Sequence, residues 1–110
     1  YSDDIENIYY RGLAKYDSNL LEDALLDLNK VIELNPKDIR FLNNRGLLLC
    51  DLKQFDQAII DYENVIKFDP DNNIALIAIN EIKEFLENQS DKKDFDNKAI
   101  CKLLENKYKY

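Results

Sequence analysis

The sequence predicts an all-α protein, a stack of antiparallel helix pairs with about six helices in a single domain over residues 1–110. Two observations predict it: an internal 34-residue repeat, and apolar residues that recur within each repeat at the 3-4 spacing of a helical face. Sliding the chain by 34 aligns residues 5–38 with residues 39–72 without a gap. Ten of those 34 pairs are identical: Ile5/Ile39, Arg11/Arg45, Gly12/Gly46, Leu13/Leu47, Asp17/Asp51, Ala24/Ala58, Asp27/Asp61, Val31/Val65, Ile32/Ile66 and Pro36/Pro70. Chance in a composition this biased gives about two or three.

Each unit reads as two helices. In the first unit, Ile5, Ile8, Tyr9, Gly12 and Leu13 share one face, and Leu21, Ala24, Leu25, Leu28, Val31 and Ile32 share the next. The second unit repeats this with Leu42, Gly46 and Leu49, then Phe55, Ala58, Ile59, Tyr62, Val65 and Ile66. Short polar stretches, Asp17-Ser18-Asn19 and Asp51-Leu52-Lys53-Gln54, turn the chain within a unit. Between units stand Asn35-Pro36-Lys37-Asp38 and Asp69-Pro70-Asp71-Asn72. There Asn or Asp is expected to cap the coming helix, with Pro36 and Pro70 in its first turn. Glycine inside a helix costs about 1 kcal/mol relative to alanine. Gly12 and Gly46 therefore imply close approach of two backbones, with Ala24 and Ala58 facing them.

Residues 73–88 begin like a third unit, with Ile74, Leu76, Ile77, Ile79, Ile82, Phe85 and Leu86 on a wide apolar face, but Asn80 stands where glycine is expected. This segment is expected to cover the end of the stack. A last helix over about 92–107, with Phe95, Ala99, Ile100, Leu103 and Leu104 on one stripe, is expected to cover it in turn, capped by Ser90 or Asp91.

Composition narrows the function. The net charge is -7, from 15 Lys plus Arg against 22 Asp plus Glu. Phosphate binding needs clustered cations, so nucleic acid is not an expected partner. Residues 91–110 carry six Lys against four acids, a net of +2, which leaves -9 on the rest. A docking of tail on body is consistent with that split. No run approaches the length of a membrane span. The chain starts at Tyr1, so a fragment or a processed chain is expected. Two cysteines and no His fit a reducing, cytoplasmic location, and Cys50 reads as a small packing residue.

No catalytic function, metal or cofactor is expected. There is no His to act as a base beside a nucleophile, no Gly-rich phosphate loop, and no clustered Cys for zinc. Asp69, Asp71 and Asn73 imitate the start of a calcium loop, but Ile74 and Asn80 stand where Gly and Glu are required.

The 34-residue period, with Gly12/Gly46, Ala24/Ala58, Leu21/Phe55 and Pro36/Pro70, resembles the tetratricopeptide repeat, and residues 24–36 are similar to that family's second helix almost throughout. Departures fall in the first helices: Ile8 and Leu42 replace an aromatic, Lys15 and Leu49 a tyrosine, and Arg11 and Arg45 a leucine. The resemblance implies a right-handed superhelical α-solenoid with repeats at 5–38 and 39–72. It also implies a non-enzymatic adaptor that binds a peptide or helix of another protein on its concave face. The family's groove positions fall on Glu6, Tyr9, Leu13, Tyr16 and Asp17, then Arg40, Asn43, Leu47, Cys50 and Asp51, then Ile74, Ile77 and Glu81. The expected contacts are Tyr9, Leu13, Tyr16, Asn43 and Leu47, with Arg40 as charged anchor.

Two alternatives remain open. Co-chaperone and immunophilin relatives grip acidic chaperone tails with a carboxylate clamp. Asn44 meets one clamp position, whereas the others hold Tyr9, Leu13, Ile74 and Ala78. The other alternative is a self-associating segment of a longer array, a homodimer paired through Ile5, Ile8 and Tyr9.

Overall fold

In the computed structural model the described residues are 2–89. They form five helices: α1 Ser2–Asp17, α2 Leu21–Leu34, α3 Ile39–Asp51, α4 Phe55–Phe68 and α5 Asn73–Gln89. No strand occurs among the described residues, and α5 lies where the covering helix was expected. The helix expected at 92–107, with its caps Ser90 and Asp91, lies outside the described residues.

The turn inside each unit is the same backbone device. Asn19 and Lys53, 34 residues apart, both sit in the left-handed region at φ 64° and 63°. The Asn19 N–H donates to Tyr16 O and the Leu20 N–H to Lys15 O, with Lys53 to Cys50 and Gln54 to Leu49 repeating the pattern. This double closure satisfies the last carbonyls of α1 and α3 and reverses the chain in three residues.

The prolines act differently from the expectation. Asn35 and Asp69 finish α2 and α4, their N–H groups donating to Val31 O and Val65 O. Pro36 and Pro70 follow outside any helix, because the residue before a proline is pushed out of helical geometry. The caps come two residues later. The Asp38 carboxylate accepts from the Arg40 N–H at 3.0 Å, and Asn72 Oδ1 accepts from the Ala75 N–H at 3.0 Å.

Both glycines stand where a side chain would collide, though not in the same way. A Cβ at Gly12 would lie 3.0 Å from Asp27 Cβ and 3.7 Å from the Ala24 carbonyl, close to the expected backbone approach. At Gly46 the nearest atoms belong to the Tyr62 ring, at 2.9 Å, rather than to Ala58. The cause is one substitution between repeats: Tyr62 occupies the position of Leu28, and its larger ring fills the notch that glycine leaves.

The core runs along the stack, with Ala24, Leu28, Val31, Phe41, Leu48, Ala58, Val65, Ala75, Ala78 and Ile82 sealed from solvent. The Phe55 and Phe85 rings lie 5.1 Å apart and fasten the start of α4 to the end of α5. Repeat register explains how the described stack ends. Leu42, Gly46 and Leu49 are buried, whereas Leu76, Asn80 and Lys83 at the matching positions of α5 are exposed. Of the apolar face of α5, Ile79, Ile82 and Phe85 are buried, Ile74 and Leu86 are half-buried, and Leu76 and Ile77 are exposed.

Each unit is also clamped by an identical ion pair. Arg11 Nε and Nη2 donate to Asp27 at 2.9 and 2.7 Å; Arg45 Nε and Nη2 donate to Asp61 at 2.8 and 2.7 Å. The surroundings differ. Lys15 reaches Asp27 at 3.2 Å, while Arg45 also donates to Asn29 Oδ1 at 3.0 Å and so ties the second unit to the first. The Arg11 hydrogen bonds, opposed by partial burial and helped by Lys15, hold the Asp27 carboxyl below the usual range. Deeper burial pushes the Asp61 carboxyl above it, against the pull of Arg45.

The two aspartates therefore respond oppositely to acid. The Asp27 contribution is present above the unfolded value near 3.8 and is lost as pH falls through its folded pKa. The Asp61 contribution is present below 3.8 and is lost as pH rises through its folded pKa. A carboxyl-carbon NMR titration is expected to place Asp27 below the unfolded value and Asp61 above it. The reverse order would refute the burial argument.

Candidate functional site: a cleft on the first helices

The first helices of the two units run side by side in the same direction. Arg40 Nη2 donates to Glu6 Oε1 at 2.8 Å, Asn44 Nδ2 donates to Tyr9 Oη at 2.8 Å, and Tyr16 Oη donates to Asp51 Oδ2. These pairs, 34 or 35 residues apart, follow one another along both helices. They are the polar seam between the units, and the Tyr9 and Phe41 rings fill its apolar part at 4.8 Å.

Beside this seam lies an open cleft of about 520 Å³, lined by Tyr9, Tyr10, Leu13, Ala14, Asp17 and Arg40. Tyr10, Leu13, Ala14 and Asp17 fall at i, i+3, i+4 and i+7, so one helical face builds most of it. Tyr10 is 58% exposed and forms a free-standing aromatic rim, its ring 5.3 Å from that of Tyr9. Arg40 borders the cleft from α3. Its guanidinium lies 5.3 Å from the Tyr9 ring centre and 5.1 Å from that of Phe41, and it is held by Asp38 and Glu6. Hydrogen bonds from those two carboxylates push its pKa further up. Burial works to raise the Asp38 pKa, yet hydrogen bonds from Arg40 hold it below the usual range. Burial lifts the Tyr9 phenol to about 12, partly offset by Arg40 and Asn44. Tyr9 is thus a neutral hydroxyl at physiological pH, and the cleft offers an aromatic and aliphatic wall beside a neutralised cation.

Of the residues predicted from the sequence, Tyr9, Leu13 and Arg40 border this cleft. Tyr16 and Leu47 are buried, and Asn44 is buried with its amide N–H groups directed to Tyr9 Oη and the Arg40 carbonyl. Asn43 is half-buried on α3, its Oδ1 sealed from solvent without a donor. Tyr9 faces α3, so it is unsuited to the outward pairing considered above. Sequence reasoning missed Tyr10 and Ala14. The signal was the i, i+4, i+7 stripe of Tyr10, Ala14 and Asp17, on which both residues are exposed.

Among the described residues, no group of three or more His, Cys, Asp and Glu could hold a metal ion. No helix among them is long and apolar enough to cross a membrane. The family model for the tetratricopeptide repeat matches residues 39–72. No curated protein and no solved structure matches the chain. Residues 39–72 are a tetratricopeptide repeat, the preceding 34 residues repeat its pattern, and the described residues together form an all-helical α-solenoid of helix pairs.

Proposed function

We propose that this chain is a non-enzymatic adaptor that holds a peptide or helix of a partner protein against the first-helix face, with the Tyr10–Leu13–Ala14 cleft as the anchor pocket. Tetratricopeptide repeats are protein-interaction modules. The observation that carries the reading is the cleft itself: an exposed tyrosine over an apolar floor, the kind of aromatic anchor site that dominates interface energies. An apolar side chain of the partner fits there better than a carboxylate. Arg40 already holds two acids, and the one residue that meets a clamp position, Asn44, has its N–H donors directed inward. That geometry weighs against the chaperone-tail alternative.

The test is affinity capture from native lysate with the wild type, Tyr10→Glu, and Leu26→Glu as an outer-face control. Tyr10 and Leu26 are both exposed, so neither change disturbs the core. Proteins held by the wild type and the control should be lost by Tyr10→Glu; equal retention by all three would sink the cleft as the site. A second reading, self-association, is favoured by Leu26/Ile60 and Leu34/Phe68, exposed at matching positions of the outer helices α2 and α4. Its mark is a solution mass that rises with concentration and is restored to the monomer value by Leu26→Glu.

A further inference from the structure

We infer that two copies of this chain pair face to face through their outer helices, α2 of each copy lying along α4 of the other. This pairing rests on the self-association reading above and gives it a specific arrangement.

Leu26, Leu34, Ile60 and Phe68 are four of the eight large apolar side chains exposed among the described residues, and they lie on two helices only. Leu26 and Leu34 stand about two turns apart on α2 with Lys30 between them. Ile60 and Phe68 are spaced identically on α4, with Asn64 between them. α1 and α3 run in the same direction, and a tight turn reverses the chain after each, so α2 and α4 are parallel as well. The two apolar ridges therefore match residue for residue at the repeat offset of 34.

A two-fold axis parallel to these helices sets each residue of α2 against the residue 34 positions later in the second copy, and every such contact occurs twice. Leu26 then meets Ile60, and Leu34 meets Phe68. The charges around them change sign between the units. Glu33 meets Lys67, Lys37 meets Asp71, and Lys30 lies next to Glu63. All six are exposed, and none forms an ion pair with another described residue. Opposite signs at one repeat position make the face complementary to itself, which selects this register over others. Glu22 against Asp56 is the like-charged match, and both sit in first turns, where the helix dipole favours acids. Antiparallel packing of α2 on α2, with Leu26 on Leu34, would instead centre Lys30 on itself and bring Asp56 beside Asp71.

Each outer helix has 14 residues and so runs for about 21 Å, and neighbouring helices lie about 10 Å apart. A face of that size is at the low end of specific interfaces, so the pair should form reversibly. The clefts of both copies lie on the first-helix layer, away from this contact. Pairing and partner binding therefore do not compete, and the dimer offers two anchor pockets at once.

The test is sedimentation equilibrium of the full chain over a range of concentrations, on the wild type, Glu33→Lys, Lys67→Glu and an equimolar mixture of these two variants. Both positions are exposed, and circular dichroism checks that the fold is kept. Either variant alone places like charges at both symmetry-related contacts and should raise the dissociation constant about tenfold. In the mixed pair both contacts are again of opposite sign, so the mixture should regain wild-type association. Variants that associate as tightly as the wild type, or a mixture no tighter than its components, overturn this arrangement. If Leu26→Glu abolishes a dimer that the charge changes leave intact, self-association stands and this arrangement alone falls. A wild-type mass that stays monomeric at every concentration defeats both.

Discussion

Replacing Arg45 by Ala should destabilise the fold by about 3–5 kcal/mol, because it leaves a buried carboxylate without its counter-charge. Asp61 is only 2% exposed, and both of its oxygens accept from Arg45. The same change at Arg11 should cost far less, because solvent screens an exposed pair. The Arg11 side chain is 61% exposed, and Lys15 remains on Asp27 at 3.2 Å. Urea midpoints of the two variants measure the difference directly. Equal losses would show that the burial of Asp61 does not set the energy of its pair. The double change Arg45→Met/Asp61→Leu should recover most of the stability, since well-packed apolar groups can replace a buried ion pair at little net cost.

That pair also shows how the sequence was readable and where it was not. Arg11/Arg45 and Asp27/Asp61 stood among the ten identities, and each Arg precedes its Asp by 16 residues. Taken position by position, an arginine where the family places leucine looked like a departure. Taken as a pair, it is a clamp across the two helices of a unit, made by the residue just before the glycine. The period, the helix pairs and the helix over residues 73–89 were legible because they rest on hydrophobic spacing, which the backbone obeys wherever a core forms. Cap positions were less so. Asn35-Pro36 reads equally well as the start of one helix or the end of another, and what decides is the bar on helical geometry before proline.

The cleft was half legible for a related reason. Tyr9, Leu13 and Arg40 were placed by their repeat positions, but whether a side chain on a first helix faces solvent depends on its neighbours across the seam. Tyr9 turns inward because Phe41 and Asn44 meet it there. Tyr10 stays out because nothing among the described residues stands on that side as α1 stands beside α3. Repeat spacing alone carries no information about which helix lies alongside, so adjacent tyrosines of the same type receive opposite environments.

The largest effect after Arg45 is expected at this seam. Phe41 is completely buried between α1 and α3, and Phe41→Ala should cost about 3–5 kcal/mol. Its counterpart in the first unit, Asn7, is exposed, so the large ring serves the junction between units rather than the inside of one. In stacked repeats stability is close to a sum of unit terms and nearest-neighbour junction terms. A loss at the junction should therefore fall unevenly. Hydrogen exchange in Phe41→Ala should show α1 and α2 losing more protection than α4 and α5, which keep the Phe55–Phe85 stack. The cleft should weaken with them, since Tyr9 and Arg40 both lean on the Phe41 ring. A uniform fall in protection would mean that the two units unfold as one body and that the seam is not the weaker joint. An uneven fall would place the weakest junction of the described stack beside its candidate binding site, where a partner that bridges α1 and α3 would stabilise the junction it binds.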